Sequence, residues 1–143
     1  MVIAGILKEK GSKLLSVTPD ASIADVVQTL ATHRIGAVLV VSASGTLEGI
    51  LSERDVVRSL SENGAGTLDR TAADLMTSNV TTATPQTTVA AAMELMTSGR
   101  FRHVPIMDDG RLVGLVSIGD VVKAKIANTE QEVDSLRAYV VGA

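Results

Sequence analysis

The sequence predicts an α+β (α/β) chain: two tandem β-α-β-β-α units related by a pseudo-twofold, followed by an extended C-terminal helix. Three observations carry that prediction. The string Gly-φ-φ-Ser-x-x-Asp, with φ apolar, occurs twice, as Gly49-Ile50-Leu51-Ser52-Glu53-Arg54-Asp55 and as Gly114-Leu115-Val116-Ser117-Ile118-Gly119-Asp120. At an offset of 66 the sequence aligns with itself, setting Thr18-Pro19 on Thr84-Pro85, Ala24 on Ala90, Arg34 on Arg100 and Val38 on Val104. One deletion shifts the offset to 65, which sets Gly45 on Gly110, Leu47 on Leu112, Ser52 on Ser117 and Asp55 on Asp120. Two copies suit a pseudo-symmetric pair better than a solenoid.

The elements follow in order. Met1 to Leu7 is apolar, but too short to span a bilayer, and Lys8-Glu9-Lys10 follows it where a leader would carry its charges first. Residues 1–11 are an N-terminal segment, with Lys8-Glu9-Lys10 on a solvated face. The first unit spans 12–64. It opens with a short extended segment, Ser16-Val17-Thr18, stopped by Pro19. Ser22 with Asp25 starts a helix as a capping box, and Ile23, Val26, Val27 and Leu30 form its apolar face. Strands follow at Ala37 to Val41 and Leu47 to Ser52. A second helix begins around Asp55 and stops at Asn63-Gly64.

A connector, 65–78, holds a short helix at Asp74-Leu75-Met76. The second unit, 79–128, repeats the pattern. Val89, Met93 and Met96 supply its helix face, and Ala90 to Ala92 favour the helix. The strands are His103 to Met107 and Leu112 to Ser117, joined by Asp109-Gly110, a tight-hairpin signal. The last helix begins around Asp120 and continues through 129–143. Along it Val122, Ile126, Thr129, Val133, Leu136 and Val140 are spaced four, three, four, three, four, a heptad stripe. That stripe packs either on its own domain or on a second subunit.

Composition narrows the function. The chain has 143 residues, 45% of them hydrophobic, with one Phe, one Tyr and no Trp, so the core is aliphatic. Met76, Met93, Met96 and Met107 fit core or interface packing. A net charge of -3 and a pI near 5.3 argue against general nucleic-acid binding. The absence of cysteine excludes disulfides, thiolate metal sites and cysteine nucleophiles. Two histidines, His33 and His103, argue against a histidine metal cluster. His33 reads as an exposed cation at a helix C-terminus. A cytoplasmic setting is expected.

Ser-x-x-Asp before an apolar run is also a capping box that merely closes a helix. Its recurrence after a strand, at matching points of a repeat, raises a second reading. A carboxylate accepts hydrogen bonds from both vicinal hydroxyls of a ribose, and a helix N-terminus favours phosphate. Arginine adds charge-assisted bonds to phosphate, and the basic segment Arg100-Phe101-Arg102-His103 is expected to be flexible. Ile35, Leu51, Phe101 and Leu115 offer aliphatic or aromatic walls for a flat base.

On Gly49 to Asp55, Gly114 to Asp120 and Arg102-His103-Val104-Pro105-Ile106, the duplicated unit resembles the CBS (cystathionine beta-synthase) domain, arranged as a pair over about residues 12 to 128. The resemblance implies a small stand-alone bacterial type, with two clefts between paired units and an adenosine-type ligand: AMP, ADP, ATP, NAD(H) or S-adenosylmethionine. It implies one site with Asp120 on the ribose, Ser117 and Leu115 beside it, and Leu15, Ser16, Ile35, Gly36 and Ala37 opposite. The other would use Asp55, Ser52 and Leu51, with Thr81, Thr82, Phe101, Arg102 and His103 opposite and Arg54 reaching a phosphate. Arg102 and His103 replace Gly36 and Ala37, and Glu53-Arg54 replace Ile118-Gly119, so the Asp55 site is expected to favour phosphate-bearing ligands. His103 is either a phosphate contact or a strand-edge hydrogen bonder.

The function implied is a regulatory nucleotide sensor acting on a partner protein by a change of shape or association, as a homodimer. The alternative is a ligand-free dimerisation or adaptor module. An enzyme is not indicated: no Ser-His-Asp set, Walker loop, metal cluster or complete Gly-x-Gly-x-x-Gly string is present.

Overall fold

A computed structural model describes residues 1–11 and 14–142. The expected starts and ends at 12 and 143 lie outside the described residues. The chain divides into two compact units, Lys13–Thr81 and Met1–Ser12 with Thr82–Ala143.

The N-terminal segment forms a helix, α1 (Ile3–Lys10), within the unit of the second repeat. Ile3 and Ile6 are buried in that unit's core. No side chain caps α1; instead Ile3 N–H donates to Thr87 O and Ala4 N–H to Pro85 O. Carbonyls of the chain before the next helix thus satisfy two of its first-turn donors.

The first repeat is built from β1 (Ser16–Val17), α2 (Ile23–His33), β2 (Ala37–Val41), β3 (Leu47–Ser52) and α3 (Glu53–Asn63). Its sheet order is β1-β2-β3, parallel between β1 and β2 and antiparallel between β2 and β3. Ile23, Val26 and Leu30 of α2 pack with Val38, Val40, Leu51 and Val56. Ser22 Oγ accepts from Asp25 N–H at 3.2 Å, one half of the expected box. Gly64, at φ 65°, ends α3. A 3₁₀ turn, Gly64–Asp69, and α4 (Ala72–Leu75) follow. The turn is a feature the sequence reading lacks. Buried Thr67 anchors it by a 2.8 Å hydrogen bond to Ser59 of α3.

The second repeat has α5 (Val89–Gly99), β4 (His103–Asp108), β5 (Arg111–Ser117) and α6 (Ile118–Gly142). Val89, Ala92 and Met96 are buried with Val104, Ile106, Val116 and Val121. Asp109 and Gly110 both have positive φ, 52° and 77°, as a two-residue hairpin with matching twist requires. The expected first strand shrinks to one bridge, Ala83 to Ile106. Pro105 explains this: it stands where Leu39 stands in the first repeat. Leu39 N–H donates to Leu15 O, a bond proline cannot make.

The heptad stripe does not pack on its own unit. Val121 and Ala124 of α6 are buried, whereas Val122, Ile126, Val133, Leu136 and Val140 are exposed.

Candidate functional site

Each repeat ends its second hairpin strand in a serine that caps the next helix. Ser52 is extended (φ -110°, ψ 164°), and its Oγ accepts from Asp55 N–H at 3.4 Å. Asp55 Oδ2 accepts from Ser52 N–H at 2.9 Å and from Ser52 O–H at 3.0 Å. In the second repeat Ser117 Oγ accepts from Asp120 N–H at 3.1 Å, and Asp120 Oδ2 accepts from Ser117 N–H at 2.9 Å. Both strings are thus complete capping boxes, and the helices begin at Glu53 and Ile118, two residues before each aspartate.

A carbonyl from the segment before the hairpin closes each helix start further. Glu53 N–H donates to Gly36 O at 2.9 Å, and Ile118 N–H to Arg102 O at 2.7 Å. Two of the three first-turn amides in each helix are therefore engaged, leaving less of the backbone anion site than the sequence suggested. The expected flexible segment Arg100 to His103 is pinned: Phe101 N–H donates to Met96 O, Phe101 packs on the second core, and His103 pairs with Ser117.

Within each unit the sequence-predicted residues gather around the box. Ala37 pairs with Ser52, and Gly36 meets Glu53. Ile35 packs on the first core, Leu15 is partly buried, and Ser16 is exposed in β1. Arg54 is exposed beside Asp55. Around Asp120 lie Ser117, Leu115, Arg102 and His103, while Thr81 and Thr82 are exposed ahead of Ala83. Leu51 is a correction. It is fully buried among Val38, Val40 and Val56 of its own repeat, because strand alternation turns it inward with Gly49. Its neighbour Ile50, partly buried, corresponds to Leu115. The 65-residue offset pairs Ile50 with Leu115 and already held that signal.

The electrostatics of the two carboxylates differ. Asp55 is 9% exposed. Its Oδ1, outside the box, has exposed Arg58 Nη2 at 3.7 Å, a distance that contributes little. Asp120 instead meets Lys10 Nζ at 2.7 Å, and the same ammonium donates to Leu115 O at 2.8 Å. Burial pushes the Asp120 carboxyl up, but the Lys10 and Ser117 hydrogen bonds outweigh it and hold the group below its usual range. Lys10 is therefore not part of a purely solvated face. The sequence reading missed it because α1 was not recognised. Among the described residues no three or more His, Cys, Asp and Glu side chains are grouped to hold a metal, and no helix is long and apolar enough to cross a membrane.

Two hairpin-helix repeats with matching Ser-x-x-Asp boxes define a tandem module. The CBS domain family model matches residues 11–62 and 72–127, and the chain belongs to the CBS-domain family. It is similar to the mitochondrial CBS domain-containing protein CBSX3 of Arabidopsis thaliana, at 36% identity over 98% of this chain and 72% of that protein. Among solved structures it resembles the CBS-domain containing protein ATU1752 from Agrobacterium tumefaciens, with 44% identity, TM-score 0.85, and 87% and 92% of the two chains covered. The CBS domain pair of protein MJ0100, in complex with 5′-methylthioadenosine and S-adenosyl-L-methionine, is similar at 26% identity and TM-score 0.79, covering 90% and 98%.

Proposed function

We propose that this chain is a regulatory CBS-pair sensor of an adenosine-containing ligand of the AMP, ATP or NAD(H) type, and that Asp55 is its principal ribose-binding group. One observation carries the reading. The Asp55 carboxylate is oriented by its capping box through Oδ2 alone, so Oδ1 remains available to accept from sugar hydroxyls. Arg54 supplies a nearby exposed cation for phosphate, and Ile50 an apolar surface for the base. The adenosine ligands of the MJ0100 pair support the ligand class. At Asp120 the lysine ammonium already neutralises the carboxylate at 2.7 Å, so that box attracts sugar hydroxyls more weakly. The output is a change in shape or association of a homodimer, read by a partner protein, in the cytoplasm and without catalysis by this chain.

The second reading is a ligand-free dimerisation or adaptor module, favoured by the completeness of both boxes without any ligand. Titration calorimetry separates the two. AMP, ATP, NAD(H) and S-adenosylmethionine are titrated into the wild type and Asp55→Asn, which keeps an acceptor for the cap. The sensor reading expects heat from at least one of these, and an affinity loss of tenfold or more in the variant, since a hydrogen bond to a charged group contributes about 1.5–3 kcal/mol. Silence from every ligand favours the adaptor, and undiminished binding by Asp55→Asn overturns Asp55 as the ribose-binding group.

A further inference from the structure

We infer that the distal part of α6 forms a parallel two-stranded coiled coil with a second copy of this chain. This rests on the homodimer reading above and specifies its surface and orientation. Val122, Ile126, Val133, Leu136 and Val140 make a continuous exposed apolar seam, from 38% exposure at Val122 to 68% at Val140. With Ile126, Val133 and Val140 at heptad position a, Val122, Thr129 and Leu136 fall at d. Val121 and Ala124, which face the unit's own core, fall at c and f, so the seam and the core contact do not compete. β-Branched residues at a with leucine at d favour two parallel strands; all three a positions here are β-branched, and Leu136 supplies the leucine at d. Thr129 is the polar member, and its hydroxyl already donates to Lys125 O at 2.9 Å, so drying the seam strands no donor.

Charge complementarity fixes the partner and its direction. Positions g are Lys125, Glu132 and Tyr139; positions e are Lys123, Glu130 and Arg137. In a parallel in-register pair each g faces the e five residues on in the other copy. That sets Lys125 against Glu130 of the second copy and Glu132 against its Arg137, both attractive and each made twice. An antiparallel pair keeping all six layers sets Glu132 on Glu132, Glu130 on Glu130 and Lys123 on Arg137. Like charges so placed repel. A second copy in parallel is the occupant this pattern selects.

The test uses the full chain. Because it has no cysteine, Val122→Cys and Val140→Cys, made separately, report on single positions. A parallel pair brings each to its own counterpart, and both variants oxidise to disulfide-linked dimers. The full-layer antiparallel pair holds like positions 18 residues apart along the helices, about 27 Å, far beyond the roughly 4.4–6.8 Å Cα separation of a disulfide. Any other antiparallel register brings at most one of them together. In sedimentation, Glu132→Arg and Arg137→Glu each weaken the dimer by on the order of fivefold or more, and the double exchange restores it. Far-UV circular dichroism confirms that the variants remain folded. A dimer that neither cross-links at both positions nor responds to charge exchange overturns the coiled coil while leaving dimerisation and nucleotide sensing standing. A chain that stays monomeric overturns the coiled coil and the dimer together.

Discussion

Lys10→Met isolates the ammonium that distinguishes the two boxes. Methionine keeps a flexible stem on α1 and removes the donor to Asp120 Oδ2 and Leu115 O. The side chains of the pair are 42% and 27% exposed, so screening limits the ion pair to about 0–1 kcal/mol, and the Leu115 hydrogen bond adds about 0.5 kcal/mol. A loss of about 1 kcal/mol is expected near neutral pH. The sign of its pH dependence follows from Asp120. The native carboxyl lies below its usual range, so its contribution is complete above the unfolded-state pKa and is lost as pH falls through the native value. The gap between wild type and variant must therefore be widest at neutral pH and narrow in acid, where the carboxyl is protonated and only the Leu115 hydrogen bond, about 0.5 kcal/mol, remains. Urea unfolding at a series of pH values reads this directly. A gap that stays constant with pH, or widens in acid, refutes the assignment of the ammonium to the carboxylate. Calorimetry gives an independent readout: under the proposed function, removing the ammonium strengthens nucleotide binding at Asp120.

Two further substitutions test the frame around the boxes. Gly49→Ala places a Cβ 2.6 Å from Thr77 O and 2.8 Å from Met76 Sδ, against a backbone held to Ile50 by two hydrogen bonds; overpacking of this kind costs about 1–3 kcal/mol. At Gly114 the obstacle is the rotatable tip of Leu7, so Gly114→Ala is the milder change, and equal losses in urea unfolding contradict this. Arg100→Gly relieves a left-handed residue at φ 57° and should raise stability by up to about 1 kcal/mol; a lowered melting temperature argues that the arginine side chain supports the fold.

The repeat made most of the fold legible. Ala37–Val41 and Leu47–Ser52 were readable to the residue, because β-branched runs, glycine punctuation and the duplicate reinforced one another. Asp109-Gly110 specified its turn by local chemistry alone. What stayed hidden depended on distant partners. The residues Met1 to Leu7 carry no side-chain cap, and α1 is held by carbonyls of Pro85 and Thr87, some 80 positions away in sequence. Lys10 reaches Asp120 only because α1 packs there. The inward turn of Leu51 needed strand alternation, which the motif string conceals. Both aspartates and their capping boxes could be read from sequence, but the unequal cations beside them could not.

The two boxes show how duplication can keep a helix start while the charges around it change. Every feature needed to start a helix after a strand is kept in both copies: the serine acceptor, the aspartate at the third helical position and the carbonyl that meets the first amide. Those bonds use the backbone and one carboxylate oxygen, so they tolerate change in the charges around the carboxylate. The copies have diverged in that respect: Arg58 lies beside Oδ1 of Asp55, whereas Lys10 shares the box oxygen Oδ2 of Asp120 with Ser117. One carboxylate faces a distant Arg58 at 3.7 Å, the other a lysine at 2.7 Å delivered by a helix that has no counterpart in the first repeat. An ion pair at hydrogen-bond distance already neutralises the Asp120 carboxylate, whereas the cation beside Asp55 stands at 3.7 Å. Under the proposed function, unequal affinity of two nearly identical motifs is expected to come from one side chain outside the repeat, with the capping geometry left unchanged.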